Sequence, residues 1–221
     1  MQLAMAGVRE FTLYDMDYIK ESDISRHLYY SRYSINTKKV DALKDQLLKV
    51  DSKIIIHPIH SMMKPSDNIE TIATNLNFVV NTLDEPYIGY TASKISRFCV
   101  KHNIPHYIAG GFDAHLASTG EIIIPYVTPC VECYAKYFKQ KLKNWKPEKR
   151  TLPKDITEIG GLSSMALFSS SYAVIEILKY IAGLVNIHEK FKVRGELLFS
   201  NLKITYLKIK KDKKCPVCGR E

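Results

Sequence analysis

The sequence has no uninterrupted apolar run of the ~18 residues that a membrane-spanning helix needs. The best candidate, residues 165–185, is broken by three serines and by Glu176 and Lys179. The first residues, MQLAMAGVREF, also lack the basic segment and apolar core of a secretory signal. We therefore expect a cytoplasmic protein in a reducing compartment, with no membrane partner.

Internal repeats and low-complexity linkers are absent as well, which argues against a repeat protein. The chain has 221 residues, and 46% of them are hydrophobic, enough to bury a substantial core and to exclude global disorder. This length predicts one domain, or one domain with a small appendage.

Positive charge exceeds negative charge, with a formal net charge of +9. The excess is concentrated in two lysine-rich runs, at residues 136–150 and 208–214. Such runs bind nucleic acid or other polyanions in some proteins and are solvated surface in others. Because no base-stacking or nucleic-acid-binding motif accompanies them, we favour solvated surface and do not expect nucleic acid as a partner.

Apolar runs alternate with helical patterns through the first half of the chain. Strands are predicted at residues 10–14, 52–59, 77–82 and 105–109, and helices at 36–50, 68–75 and 90–101. Asn36 or Thr37 is the expected N-cap of the first of these helices. The alternation predicts βαβ units and a parallel sheet, whose functional residues lie beyond the carboxyl ends of the strands. Asp15 and Asp84 fall at such positions.

The second half of the chain has a different pattern. We predict a strand at 121–126, an extended crossing loop at 146–160, a long apolar helix at 163–183 and a hairpin from 195–199 and 203–209.

Four of the five cysteines form two C-x-x-C pairs, Cys130 with Cys133 and Cys215 with Cys218. Thiolates at this spacing can face one tetrahedral ion, and two pairs make a closed four-thiolate zinc site. A redox pair is the alternative, but two pairs in a cytosolic chain favour metal. We expect Zn²⁺ to hold the C-terminal tail against the middle of the chain and to do no chemistry. Cys99 falls in a predicted helix and is expected to be a buried core thiol.

An ordered set of motifs carries a family resemblance. The D-M-D of residues 15–17 is followed by D-I-S-R-H at residues 23–27, by Lys39 ahead of a helix, and by a strand leading to Asp84. The YIAGG strand end, a C-x-x-C pair, a crossover region, a long helix and a second C-x-x-C pair complete the order. From Leu13 onward this set resembles the ThiF/MoeB/HesA family of ubiquitin-activating-enzyme-like adenylyltransferases. It looks most similar to the branch that matures microcin-type peptides.

The resemblance implies an α/β fold with a Rossmann-like, mostly parallel sheet, an antiparallel C-terminal extension and a four-cysteine zinc knuckle. It implies one ThiF-type domain over residues 1–221. Residues 1–119 would form the nucleotide-binding part, and residues 120–221 the crossover, hairpin and zinc-binding part.

The resemblance also assigns roles in the activation of a carboxylate by ATP. Two anions meet in that reaction, so cations must neutralise the developing charge, and Arg26 and Lys39 would contact the phosphates. Asp15, within the Asp15-x-Asp17 pair, would bind the ribose hydroxyls, and Asp84 would hold Mg²⁺. Each assignment has a structural alternative: a strand end for Asp15, exposed surface for Arg26 and Lys39, and a helix N-cap for Asp84.

The sequence departs from the family pattern at three places. The family begins with a strand, a Gly-x-Gly-x-x-Gly turn and a helix, whereas MQLAMAGV resembles only the end of that helix. The first strand and the glycine-rich loop that cradles phosphate are therefore expected to be lacking. Asp23 replaces the Asn of the family and adds negative charge near the phosphates, and His27 replaces its Gln. We expect weak or no ATP binding by this chain alone.

Our leading interpretation is an enzyme that uses ATP to adenylylate the C-terminal carboxylate of a peptide or ubiquitin-like carrier protein, acting as a homodimer. The substrate would lie near Arg26 and Asp84, with residues 152–161 closing over it. No cysteine lies between Cys133 and Cys215, so no thioester step is expected. The main alternative is a catalytically inactive, zinc-stabilised homologue that binds a peptide or scaffolds a partner. A nucleic-acid-binding zinc ribbon and a nicotinamide dehydrogenase are further alternatives, the latter without identifiable hydride-transfer residues.

Overall fold

The computed structural model describes residues 1–64, 69–71, 75–111, 116–144, 162–184 and 192–219. The strands in these ranges are β1 (Glu10–Asp15), β2 (Ile55–His60), β3 (Val79–Asn81), β4 (His106–Ile108), β5 (Leu116–Ser118), β6 (Glu121–Ile123), β7 (Lys192–Leu198) and β8 (Ile204–Lys208). The α-helices are α1 (Gln2–Met5), α2 (Glu21–Ile24), α3 (Lys39–Val50), α4 (Ile88–Lys101), α5 (Val131–Lys141) and α6 (Ser163–Ile181). Two short 3-10 helices lie at Arg32–Ser34 and Ile69–Thr71.

The first sheet consists of β1 and β2, which run parallel. Glu10 lies opposite Ile55 and Asp15 lies opposite His60, so both strands end at the same edge. Helix α3 packs on this sheet. Its Leu47 is fully buried, in an apolar cluster that Ile54 shares. This packing fixes the start of α3 close to the carboxyl end of β1.

The second sheet contains β3 and β4 in parallel and β6 antiparallel to β4. Helix α4 packs on it. Tyr14 of β1 and Val79 of β3 share one apolar cluster with Ile95 and Cys99 of α4, and this cluster joins the first two sheets. Among the described residues, β1 pairs only with β2 and β3 only with β4. The predicted α/β class with parallel strands is confirmed, with the parallel strands divided between two sheets.

The third sheet is antiparallel, in the order β5, β7, β8. Helix α6 packs beside it, and the Ser169 hydroxyl of α6 donates a 2.7 Å hydrogen bond to the Ser118 carbonyl of β5. The predicted hairpin and the predicted antiparallel C-terminal part are confirmed. Strand β5 lies within residues 1–119, the predicted nucleotide-binding part, and pairs with β7 of residues 120–221. The two predicted parts of the domain therefore share this sheet.

Two predicted element boundaries are wrong. Helix α3 begins at Lys39, and neither Asn36 nor Thr37 caps it. The reason is that Asn36 adopts a left-handed conformation with φ 67° and that Lys38 forms a bridge with Tyr18, which keeps the chain extended up to the helix. The strand predicted at 121–126 stops at Ile123 because the Ile124 carbonyl accepts hydrogen bonds from residues 127 and 128, which closes a turn.

Other differences concern elements that the sequence pattern did not reveal. Helix α5 and the three-residue strand β5 were not predicted. Of the helix predicted at 68–75, Ile69–Thr71 forms a 3-10 turn, and part of the rest lies outside the described residues. The crossing loop predicted at 146–160 lies outside them as well. Within the described part of the chain, none of the helices combines the length and apolar character needed to cross a membrane.

Candidate functional site

The carboxyl end of β1 is joined to the start of α3 by a charged network. The Asp17 backbone N–H donates to Asp15 Oδ1 at 2.8 Å, which folds the chain back just after the strand. Lys39 donates from its backbone N–H to the Asp17 carbonyl at 2.9 Å and from Nζ to Asp17 Oδ2 at 2.9 Å. Lys39 is thereby held beside the strand end, whereas its neighbour Lys38 is the residue before the helix.

Asp23 of α2 lies at the centre of the network and is only 1% exposed. Its Oδ2 accepts the Lys20 backbone N–H at 2.9 Å, which caps the short helix, and its Oδ1 accepts Arg26 Nη2 at 2.6 Å. Lys39 Nζ lies 3.8 Å from Asp23 Oδ2. Burial alone would raise the pKa of Asp23, but the Lys20 N–H, Lys39 and Arg26 outweigh it and hold the pKa below its ordinary value.

Asp84 is the predicted site residue that follows a strand of the second sheet. It is exposed and follows β3, and the residue before α4 is Tyr87, so Asp84 is not the N-cap of that helix. Burial raises the pKa of Asp15; the Asp17 N–H and Lys39 oppose this rise, and the negative charges of Asp17 and Asp84 add to it. The charge of Asp84 thus acts on Asp15, which puts the ends of β1 and β3 within electrostatic range of each other.

Two further residues line the region. The rings of His27 and Tyr30 lie 5.1 Å apart, and His27 Nε2 is 3.9 Å from Asp23 Oδ1. Burial, with Asp15 and Asp23, raises the pKa of Tyr30 to about 12. Sequence reasoning assigned His27 no catalytic role and did not single out Tyr30, for which no motif provides a signal.

The structure joins four of the five side chains predicted for the nucleotide in one network: Asp15, Asp17, Arg26 and Lys39. The fifth, Asp84, acts on this network through its charge, which raises the pKa of Asp15. The arrangement supplies two cations for anionic groups and several carboxylate oxygens for hydroxyls or a divalent cation. Their individual roles stay predictions.

The four paired cysteines converge at one buried point. Their sulfur atoms all lie within 4.8 Å of one another, with 3.6 Å between Cys130 and Cys215 and 3.5 Å between Cys133 and Cys218. Zinc–sulfur bonds of about 2.3 Å in a tetrahedron place sulfurs roughly 3.8 Å apart, so the separations fit a four-thiolate ion.

Local structure explains how each pair faces inward. Cys130 is the residue before α5 and Cys133 lies in its first turn, so the helix start points both sulfurs to one side. The second pair lies in a tight turn, where a Cβ on Gly219 would approach the Cys215 carbonyl oxygen to 2.5 Å. An ion pair between Lys136 and Asp212 joins the two segments at the surface. This convergence also brings Lys136, at the start of the first lysine-rich run, next to the second run.

Cys99 is fully buried in α4, and burial raises the pKa of its thiol to about 12. A thiol with such a pKa is a poor nucleophile at neutral pH. The environment agrees with the predicted role of a core residue.

Parallel α/β sheets, a charged cluster at the carboxyl ends of their strands and a buried set of four cysteines define a Rossmann-like protein with a metal-ligand cluster. The model of the ThiF family matches residues 1–218. The chain therefore belongs to the ThiF family, which confirms the resemblance seen in its motifs.

Two curated relatives match almost the whole chain. The molybdopterin-synthase adenylyltransferase of Escherichia coli (strain K12) is 21% identical over 223 residues, which are 99% of this chain and 80% of the relative. The adenylyltransferase and sulfurtransferase MOCS3 of Caenorhabditis briggsae is 24% identical over 223 residues, 99% of this chain and 51% of the relative.

Solved structures of MccB from E. coli share the fold. The structure with ATP has a TM-score of 0.76 and 23% sequence identity, and the structure with MccA-N7isoASN has a TM-score of 0.77 and 20% identity. Each likeness covers 99% of this chain. The chain spans 61% of the MccB chain in the first structure and 62% in the second.

Proposed function

We propose that this chain is an ATP-dependent adenylyltransferase that activates the C-terminal carboxylate of a peptide or a ubiquitin-like carrier protein. One observation carries the proposal: Arg26 and Lys39 both lie at the Asp23 carboxylate, beside the end of a parallel strand, in a ThiF-family chain. Asp15 ends that strand, and the charge of Asp84 acts on Asp15. The names of the curated relatives and the MccB structure with ATP support the nucleotide, and the MccB structure with MccA-N7isoASN supports a second substrate beside it.

The proposed reaction uses the charges of the cluster directly. A carboxylate oxygen of the substrate attacks the α-phosphorus of ATP, an acyl-adenylate forms, and pyrophosphate leaves. Arg26 and Lys39 neutralise the phosphate charge, and Asp17 orients Lys39. Asp15 accepts hydrogen bonds from the ribose hydroxyls, and Asp84 contributes an oxygen to Mg²⁺. No general base is needed because a C-terminal carboxylate is already ionised at neutral pH.

The remaining parts of the proposal are structural. Cys130, Cys133, Cys215 and Cys218 would bind Zn²⁺ and fix the C-terminal segment to α5, without a step in the reaction. The chain would act as a homodimer. Adenylation would proceed without an enzyme thioester, because Cys99 is buried and the sequence has no cysteine between Cys133 and Cys215.

Release of pyrophosphate tests the proposal. The chain is incubated with saturating ATP, Mg²⁺ and peptides that are identical except for a free or an amidated C-terminus. We expect release with the free C-terminus alone, and we expect Arg26→Ala to lower the rate about 100-fold, the effect of removing one charge-stabilising group. Arg32→Ala is the matched control, since Arg32 is an exposed arginine whose ion pair is with Glu21. A folded chain that releases no pyrophosphate with any free C-terminus would contradict the proposal.

A catalytically inactive peptide-binding or scaffold protein is the second candidate. The observation that favours it is the buried Asp23 carboxylate, which already forms ion pairs with Arg26 and Lys39. Such a protein would bind peptides without releasing pyrophosphate, so the same assay separates the two functions.

A further inference from the structure

The two cations of the charged cluster already share an anion that belongs to the chain. Arg26 Nη2 lies 2.6 Å from Asp23 Oδ1, and Lys39 Nζ lies 3.8 Å from Asp23 Oδ2. Both cations are still reachable from solvent, because the Arg26 side chain is 28% exposed and that of Lys39 is 18% exposed. An incoming phosphate would therefore meet two cations whose combined charge is already reduced from the buried side by one carboxylate.

We propose that Asp23 is an internal competitor that sets the affinity of this site for polyphosphate. The inference rests on the proposed function for the nature of the ligand, a nucleotide or its pyrophosphate product. The structural core of the inference is the position of one carboxylate between two cations.

Two physical effects make the competition strong. First, a phosphate oxygen that bonds to Arg26 meets a guanidinium that already makes a charge-assisted hydrogen bond to Asp23, so its electrostatic gain is reduced. Second, Asp23 is buried, so water screens its repulsion of a bound polyphosphate only weakly. Asp17 also contacts Lys39, but its side chain is about half exposed and solvent weakens its effect.

Asp23→Asn tests the proposal because it removes the charge and keeps the shape. The Asn side-chain oxygen can still accept the Lys20 N–H that caps α2. Binding of inorganic pyrophosphate is measured by titration calorimetry at fixed ionic strength, without Mg²⁺ or peptide. We expect Asp23→Asn to bind about tenfold more tightly than the wild type, the effect of freeing one charged partner.

Glu21→Gln provides the matched control. It removes the same charge from the same helix, but Glu21 is largely exposed and pairs with Arg32 outside the cluster. We expect its affinity for pyrophosphate to stay within about twofold of the wild type, since exposed pairs contribute little. In the Asp23→Asn background, Arg26→Ala should reduce the gain, because one of the two freed cations is then missing.

Unchanged affinity in a folded Asp23→Asn variant, or an equal gain in Glu21→Gln, would overturn the proposal. Folding is checked by circular dichroism, and Asp23→Ser, which also retains an oxygen for the Lys20 N–H, replaces the first variant if that one unfolds. The readout is independent of catalysis. If Asp23→Asn binds pyrophosphate more tightly but the chain adenylylates no peptide, the proposed function is contradicted and this inference stands. If the chain adenylylates a peptide but Asp23→Asn leaves pyrophosphate binding unchanged, this inference is contradicted and the proposed function stands.

Discussion

Glu121 makes the stability of the fold depend on pH in a way that one substitution can remove. This carboxyl at the start of β6 is 5% exposed, and its Oε2 accepts no hydrogen bond within the described structure. The Nε of Arg194 on β7 lies 3.8 Å from it, and the rings of Tyr107 and Tyr134 lie close enough to interact electrostatically. Burial raises the pKa of Glu121 to about 7, and Arg194 opposes that rise only in part.

The sign and size of the effect follow from the two pKa values. The unfolded chain ionises Glu121 near the ordinary value of 4.5, whereas the folded chain keeps the proton until about pH 7. Each tenfold difference in proton affinity corresponds to about 1.4 kcal/mol, so the difference amounts to about 3 kcal/mol. Because the folded pKa is the higher one, this contribution to stability is fully present below pH 4.5 and is lost as the pH rises to about 7.

Urea unfolding of the wild type and of Glu121→Gln, from about pH 5 to about pH 8, measures the effect. The difference in unfolding free energy between the two proteins should shift by about 3 kcal/mol in favour of the variant across this range. Taking the difference cancels the titration of every other group. Glu85→Gln, at an exposed glutamate that follows β3, is the control and should shift little. A difference for Glu121→Gln that stays constant with pH would refute the reasoning.

Three further predictions concern buried parts of the fold. Burial lowers the pKa of His106 to about 4, so the stability that neutral His106 contributes is present above about pH 6.5 and is lost as the pH falls to about 4. Urea unfolding should therefore show a decrease of about 3 kcal/mol in the free energy of unfolding over this range, and His106→Gln should remove that decrease. Cys215→Ser should lower the bound zinc measured by atomic absorption and the melting temperature, whereas Cys99→Ser should leave the zinc content unchanged. Gly110→Ala should cost about 1–3 kcal/mol in urea unfolding because its Cβ would lie 2.4 Å from a backbone oxygen of β5, whereas Gly111→Ala has open space and should cost less.

Long elements with a strong hydrophobic pattern were predictable from the sequence. Helices α3, α4 and α6 lie close to where the apolar spacing predicts them, because each packs one face against a sheet. Strand β1 lies where its apolar run predicts a strand. Helix α5 was not predicted, because the lysines on its exposed side were interpreted as part of a charged surface run. Strand β5 has three residues, too few for a periodic pattern, and its position depends on pairing with β7 far along the chain.

The sequence indicated which residues belong to the charged cluster, but not which of them contact one another. The order of motifs pointed to Asp15, Arg26, Lys39 and Asp84 through a family resemblance, and the strand ends explain why they meet. The contact of Asp23 with Lys39 joins residues 16 positions apart, and no local pattern specifies it. From the sequence, Asp23 was expected to add negative charge near the phosphates; in the fold it is buried and ion-paired with the two cations.

The cysteine cluster is connected to the charged cluster through α4. Glu132, next to Cys133, accepts hydrogen bonds from Ser93 Oγ at 2.7 Å and from Arg97 Nε at 2.9 Å, and both donors lie on α4. Helix α4 begins shortly after Asp84, so the helix that Glu132 holds also sets the position at which the chain leaves β3. A metal bound by the four cysteines would fix the start of α5 and, through Glu132, would restrain α4 and the segment before it that carries Asp84. We therefore expect loss of the metal to disturb the position of Asp84, in an adenylyltransferase and in a peptide-binding scaffold alike.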